Sequence, residues 1–190
     1  MILLGLSRAG KTSVGRLLAE QLGFSFYDTD ELIRIRTGLT PRQLYRQSGV
    51  SALHAAEAAA LRECCGLDFA AGIEEKTISA VIAAGGGICD NAEASAIIAA
   101  IPLRVFLYAE EAALFERLTH DALQTGYYPA FLRFLPVDQK AEAQRLFAEL
   151  YARRTELYRN SSNLIIDTSG MDCAAVAEKI AEQSVYFHLT

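Results

Sequence analysis

The chain has 190 residues, enough for one α/β domain and too few for two full ones. A hydrophobic fraction of 52% and a charged fraction of 22% fit a globular enzyme, and a net charge of −5 argues against nucleic acid or a membrane surface as the main partner. The start Met1-Ile2-Leu3-Leu4-Gly5 has no basic region and no stretch is long and apolar enough to span a bilayer, so a cytoplasmic protein is expected.

Ile2, Leu3 and Leu4 form a short apolar run that stops at Gly5 and reads as a buried strand. Val14, Leu17, Leu18 and Leu22 recur at helical spacing, and Gly23 ends that helix. Residues 24–27 read as a second strand, 30–36 as a helix stopped by Gly38, and 41–47 and 51–65 as two more helices. The β-branched run 77–84 reads as a strand that ends in Gly85, Gly86 and Gly87. A helix over 92–100, a strand over 103–108 and a helix over 110–120 follow. Residues 121–137 have no clean period and hold Gly126, Pro129 and Pro136, which predicts a mobile lid. A long helix over 138–159, a last strand over 164–166 and a helix over 174–183 close the chain. Strands alternating with helices predict one domain: a three-layer, largely parallel sheet with helices on both faces and its site at the carboxyl ends of the strands. Cys64, Cys65, Cys89 and Cys173 lack Cys-x-x-Cys spacing, and His54, His120 and His188 do not sit beside them. Buried, reduced thiols are therefore expected, and a zinc site is not.

The motif Gly5-Leu6-Ser7-Arg8-Ala9-Gly10-Lys11-Thr12 follows the first strand and opens the first helix. It fits the phosphate-binding P-loop without a gap, which makes the fold of the P-loop NTPase type. Glycines bring backbone N–H groups close to phosphate, and the helix N-terminus favours the same anion. Lys11 is then expected on the β- and γ-phosphates of ATP, and the Thr12 hydroxyl on Mg²⁺. Gly5, Arg8, Ala9, Gly10 and Ser13 complete the nucleotide site. No Asn-Lys-x-Asp or Thr-Lys-x-Asp reads guanine, so a GTPase is disfavoured.

Asp28-Thr29-Asp30 follows the second strand. Alternate residues of an extended chain point the same way, so both carboxylates are expected to face the phosphate loop. One suits Mg²⁺ and the other suits orienting or deprotonating an acceptor hydroxyl. The plainer alternative is a helix cap ahead of Glu31-Leu32-Ile33. Gly85, Gly86 and Gly87 allow either close approach to a ligand or a tight turn.

Taken together, these segments resemble the shikimate kinase family. Its carriers are the P-loop, Phe26-Tyr27-Asp28-Thr29-Asp30-Glu31-Leu32-Ile33, Ala84-Gly85-Gly86-Gly87, Phe106-Leu107-Tyr108 and Arg154-Thr155-Glu156-Leu157-Tyr158. The resemblance implies ATP-dependent phosphorylation of a hydroxyl on shikimate, on the way to aromatic amino acids, by a monomer. It implies Asp28 near Mg²⁺, Asp30 as the catalytic carboxylate on the acceptor hydroxyls, and Gly85, Gly86 and Gly87 lining the acceptor site. It implies Arg154 on the acceptor carboxylate, Arg117 stacked on adenine, and the loop after Asp167 closing over the base. Two positions depart from the family pattern. The Phe-Arg-x-x-Glu of the acceptor site is here Leu53-His54-Ala55-Ala56-Glu57, so Glu57 remains while His54 replaces the arginine. The lid's Arg-Pro-Leu-Leu is here Tyr128-Pro129-Ala130-Phe131-Leu132, which leaves Arg133 as the nearby basic residue. Losing one guanidinium from a carboxylate clamp costs about tenfold to a hundredfold in affinity, and an arginine on a transferring phosphoryl group contributes about 10³ in rate. The alternatives are thus a kinase of another small polyol acid, or an ATP-binding relative with weak or lost turnover.

Overall fold

The computed structural model describes residues 1–66 and 79–185. Ile2–Leu4 (β1) is wholly buried and lies at the centre of a five-stranded sheet ordered β2-β3-β1-β4-β5, with every pairing parallel. The other strands are Ser25–Asp28 (β2), Ala80–Ala83 (β3), Arg104–Tyr108 (β4) and Leu164–Asp167 (β5). Helices Lys11–Leu22 (α1), Thr29–Thr37 (α2), Pro41–Cys64 (α3), Ala92–Ala99 (α4), Glu111–Thr125 (α5), Lys140–Ser161 (α6) and Cys173–Ser184 (α7) surround it. Three apolar residues suffice for β1 because both faces of a parallel sheet are covered, which suits a continuous apolar run rather than alternation. No described helix is long and apolar enough to cross a membrane.

Local chemistry sets the element ends. Gly23 and Gly38 terminate α1 and α2 in the left-handed conformation, with φ of 67° and 72°. Thr40 and Gln43 form a reciprocal capping box at the start of α3, with Pro41 in its first turn. The two expected helices over 41–47 and 51–65 are the two halves of α3, which meet at Gly49 with a non-helical φ of 79° and ψ of −177°. The expected break was real, but it is a kink and not a loop. Strand β2 starts one residue later than expected. The strand expected over 77–84 is described from residue 80, and its residues 77–78 lie outside the described residues.

The segment after His120 differs more. Helix α5 continues to Thr125 before Gly126 stops it with φ 82°, so the irregular stretch begins five residues later than expected. That stretch then folds back on itself, with Tyr127 bridging Pro136 and Tyr128 N–H donating to the Leu135 carbonyl. Tyr128 and Leu132 are fully buried, and the Tyr128 ring stacks on Phe115 at 5.9 Å. Of the four thiols, all free, only Cys64 is buried; Cys65, Cys89 and Cys173 are half-buried, which corrects the expectation for three of them.

Candidate active site

The carboxyl ends of β1, β2 and β3 converge on two adjoining cavities of about 650 Å³ and 480 Å³. The larger is walled by the P-loop, Asp28, α5 and the stretch after Gly126 that was expected to be a lid. The smaller is walled by α3, the glycine run and Arg154 of α6. Ser7, Asp30, Arg42, Gly86, Pro129 and Phe131 line both, and so mark the joint between them.

Gly5 and Gly10 hold φ of 144° and 90°, which the tight loop requires. Arg8 is also left-handed, at φ 68°, and its side chain pairs with Asp121 of α5. Lys11 is buried, and its ammonium donates to the carbonyls of Gly5 and Leu6 at 2.8 Å each. Burial lowers its pKa to about 8, against the opposing pull of Asp30 and Asp28.

Asp28 caps a helix and also reaches the P-loop. Its Oδ1 caps α2 by accepting from the N–H groups of Asp30 and Glu31, and its Oδ2 accepts from the Thr12 hydroxyl at 2.7 Å. Thr29 and Asp30 already belong to α2, so a turn of helix, not strand alternation, brings the two carboxylates to one cavity. The surrounding protein raises the Asp30 carboxyl pKa, and the neighbouring Asp28 adds to that, although Asp30 stays open to the cavity. A hydroxyl and a carboxylate beside the lysine are hard oxygen donors of the kind that Mg²⁺ uses together with waters and phosphates. Thr12 and Asp28 therefore fit such an ion.

Space is tight at all three glycines and strictest at Gly86, which meets backbone. A Cβ on Gly85 would lie 2.7 Å from Asp30 Oδ1, one on Gly86 2.6 Å from the Ser7 backbone nitrogen, and one on Gly87 3.0 Å from the Arg154 guanidinium. The Gly85 N–H also donates to the buried Thr29 hydroxyl at 2.9 Å. These contacts press the β3 loop against both the carboxylate and the P-loop.

His54, Glu57, Gly85, Gly86, Gly87 and Arg154 all line the smaller cavity. The Glu57 carboxylate accepts from Asn91 Nδ2 at 3.0 Å, and burial raises its pKa in spite of that bond. Asn91, which sequence reasoning missed, also donates to the His54 carbonyl at 2.8 Å and caps α4. Asp90 was missed as well. It accepts from Arg154 Nη2 at 2.7 Å and from Arg153 Nη1 at 2.6 Å, while Arg154 Nη1 donates to the Gly86 carbonyl at 3.0 Å. Burial pushes the Asp90 carboxyl up, but the two guanidinium groups outweigh this and hold it below the usual range. Arg117 lies on the exposed side of α5, outside the residues that line either cavity, and donates to the Arg8 carbonyl at 2.8 Å. Arg133 is exposed and also lines neither cavity. The loop after Asp167 is not among the cavity residues.

Comparison with known proteins points one way. The sequence profile of a family described as shikimate kinase matches residues 8–184. A shikimate kinase of Marinomonas sp. is 31% identical over 186 residues, spanning 96% of this chain and 90% of that protein. One of Halorhodospira halophila is 29% identical over 182 residues, spanning 96% and 91%. The solved structure of a shikimate kinase from Acinetobacter baumannii in complex with shikimate superposes with a TM-score of 0.79 at 25% identity, over 100% of this chain and 94% of that one.

Proposed function

The chain belongs to the shikimate kinase family, and we propose that it transfers the γ-phosphoryl group of ATP to a hydroxyl of shikimate. The observation that carries this reading is the position of Asp30, at the joint between the P-loop cavity and the cavity lined by Arg154 and the glycine run. ATP occupies the larger cavity with its phosphates over Gly5, Arg8, Ala9, Gly10, Lys11, Thr12 and Ser13. Thr12 and Asp28 hold Mg²⁺, which when bound neutralises phosphate charge. Asp30 takes or orients the acceptor proton, and a raised carboxyl pKa suits that task. Gly85, Gly86 and Gly87 let the acceptor approach Asp30, with Glu57, His54 and Arg154 around its far side. Arg117 supports the nucleotide side through the Arg8 backbone. One chain walls both cavities, so we take the monomer as the working unit, and its four free thiols fit the cytoplasm.

One observation favours a second reading, a different small polyol acid as acceptor: the Arg154 guanidinium is already engaged by Asp90, and His54 stands where the family has arginine. Both readings are tested by ADP release with shikimate and with other small polyol acids. For shikimate, Asp30→Asn is expected to lower kcat by about a hundredfold or more while ATP affinity changes little. Equal losses in rate and ATP affinity place Asp30 on the metal instead. Turnover with another acid but none with shikimate establishes the second reading.

A further inference from the structure

The family pattern puts an arginine in the lid, and this lid has none that lines a cavity. The cations lining the larger cavity are Arg8, Lys11 and Arg42. Those lining the smaller are Arg42, His54 and Arg154. Arg42 alone belongs to both. The other guanidinium groups are taken: Arg8 pairs with Asp121, and Arg154 with Asp90. Among the described residues Arg42 has no carboxylate partner. It sits in the first turn of α3, just after the Thr40 cap.

What holds Arg42 is the lid. Its guanidinium lies 4.5 Å from the centre of the Phe134 ring, and Arg46, one turn along the helix, lies 5.2 Å from the same ring. Arg133 and Phe134 are consecutive left-handed residues, with φ of 58° and 52°, a conformation disfavoured for bulky side chains. The surrounding fold therefore enforces the placement of this ring. A second lid ring, Phe131, lies 5.8 Å from the Arg154 guanidinium. The lid thus meets the acceptor side through aromatic rings on arginines.

Building on the phosphotransfer reading above, we propose that Arg42 touches the phosphoryl group in transit at the joint of the two cavities, and that Phe134 positions it there. In that step the acceptor oxygen bonds to the γ-phosphorus while the bond from that phosphorus to the β–γ bridging oxygen breaks. ADP leaves with the bond's electrons, and the acceptor proton passes to Asp30. Arg42 stabilises the charge on the equatorial oxygens, in place of a cation carried by the lid. Because Phe134 is a lid residue, the cation is in place only with the lid down, which ties transfer to closure.

The test uses the full chain as wild type, Arg42→Ala, Arg42→Lys and Phe134→Leu. Orthovanadate is titrated onto the Mg-ADP complex as a stand-in for the phosphoryl group, and kcat and KM are measured with shikimate. Arg42→Ala is expected to weaken vanadate binding at least about tenfold and to lower kcat about a hundredfold or more, with ADP affinity unchanged. Arg42→Lys retains charge without the fork and falls between. Phe134→Leu gives a smaller loss, and none further in the Arg42→Ala background. Vanadate affinity within twofold of wild type in Arg42→Ala overturns the proposal, as does a loss confined to the KM for shikimate. A wild type that binds vanadate but does not turn over shikimate counts against the acceptor assignment alone, since the vanadate titration needs no acceptor.

Discussion

Charge placement at single residues decides how this site works. The smaller cavity carries Asp30, Glu57 and Asp90 against Arg154, Arg42 and His54, a poor balance for an anionic acceptor. Arg154 gives three of its bonds to Asp90 and Gly86, so a carboxylate must compete with Asp90 for the fork. Asp90→Asn is expected to lower the KM for shikimate several-fold, because a neutral amide releases a charge-assisted bond worth about 1.5–3 kcal/mol. Steady-state kinetics check this, and an unchanged or higher KM shows that Asp90 is needed to hold Arg154 in place. Lys11 gives a second expectation, with a definite sign. The free ammonium loses its proton through about pH 8, and phosphates favour the charged form. ATP binding at pH 8 should therefore take up a fraction of a proton, and affinity should fall as pH rises above 8. Calorimetry in buffers of different ionisation enthalpy measures the uptake; proton release would contradict the burial of a lowered-pKa lysine on the phosphates.

Among the elements, sequence was most informative where a site is built from neighbours in the chain. The P-loop was readable because strand, glycines, Lys11 and helix start all lie within residues 2–12, and each choice has a local cause. The carboxylates at 28 and 30 were readable as residues but not as geometry, since nothing in an Asp-x-Asp says whether strand or helix continues beyond the first. Asp90 was not readable at all: its meaning comes from arginines 63 and 64 residues away, brought to it by the packing of α6. Arg42 was hidden for the same reason, because the Phe134 ring beside it lies in a stretch without periodicity. The helix break between residues 47 and 51 was visible, and Gly49 makes it. Its backbone lies in a region open essentially to glycine, and the half of α3 before it carries Arg42 to the Phe134 ring. Gly49→Ala is expected to cost about 1–3 kcal/mol of stability and to lower kcat through Arg42. Denaturant unfolding together with kinetics separates the two effects. A stability loss with no change in kcat means the kink serves folding alone.

Over the whole molecule, a rigid sheet presents its loops to a cover of different character. The strand ends that carry the P-loop and Asp28 are anchored in a fully buried β1 and its neighbours. The cover is anchored by fully buried Tyr128 and Leu132, with Leu135 and Val137 half-buried against the core, while its contacts with the acceptor side are Phe131 on Arg154 and Phe134 on Arg42 and Arg46. Cation–aromatic contacts at accessible sites contribute about 0.5–1 kcal/mol each, too little to keep a segment shut by themselves. The buried anchors, by contrast, keep the base of the cover in place. Opening should accordingly be confined to the stretch around residues 133–137, beyond Leu132, leaving α5 and β1 unmoved. Hydrogen exchange of the free protein is expected to show fast exchange there and slow exchange in β1. ATP with acceptor should protect the stretch more than ATP alone, because the acceptor site and the transferring phosphoryl group hold Arg154 and Arg42 under the two rings. Equal protection in the free and doubly bound protein would show a cover that does not open, and substrate would then have to enter by another face.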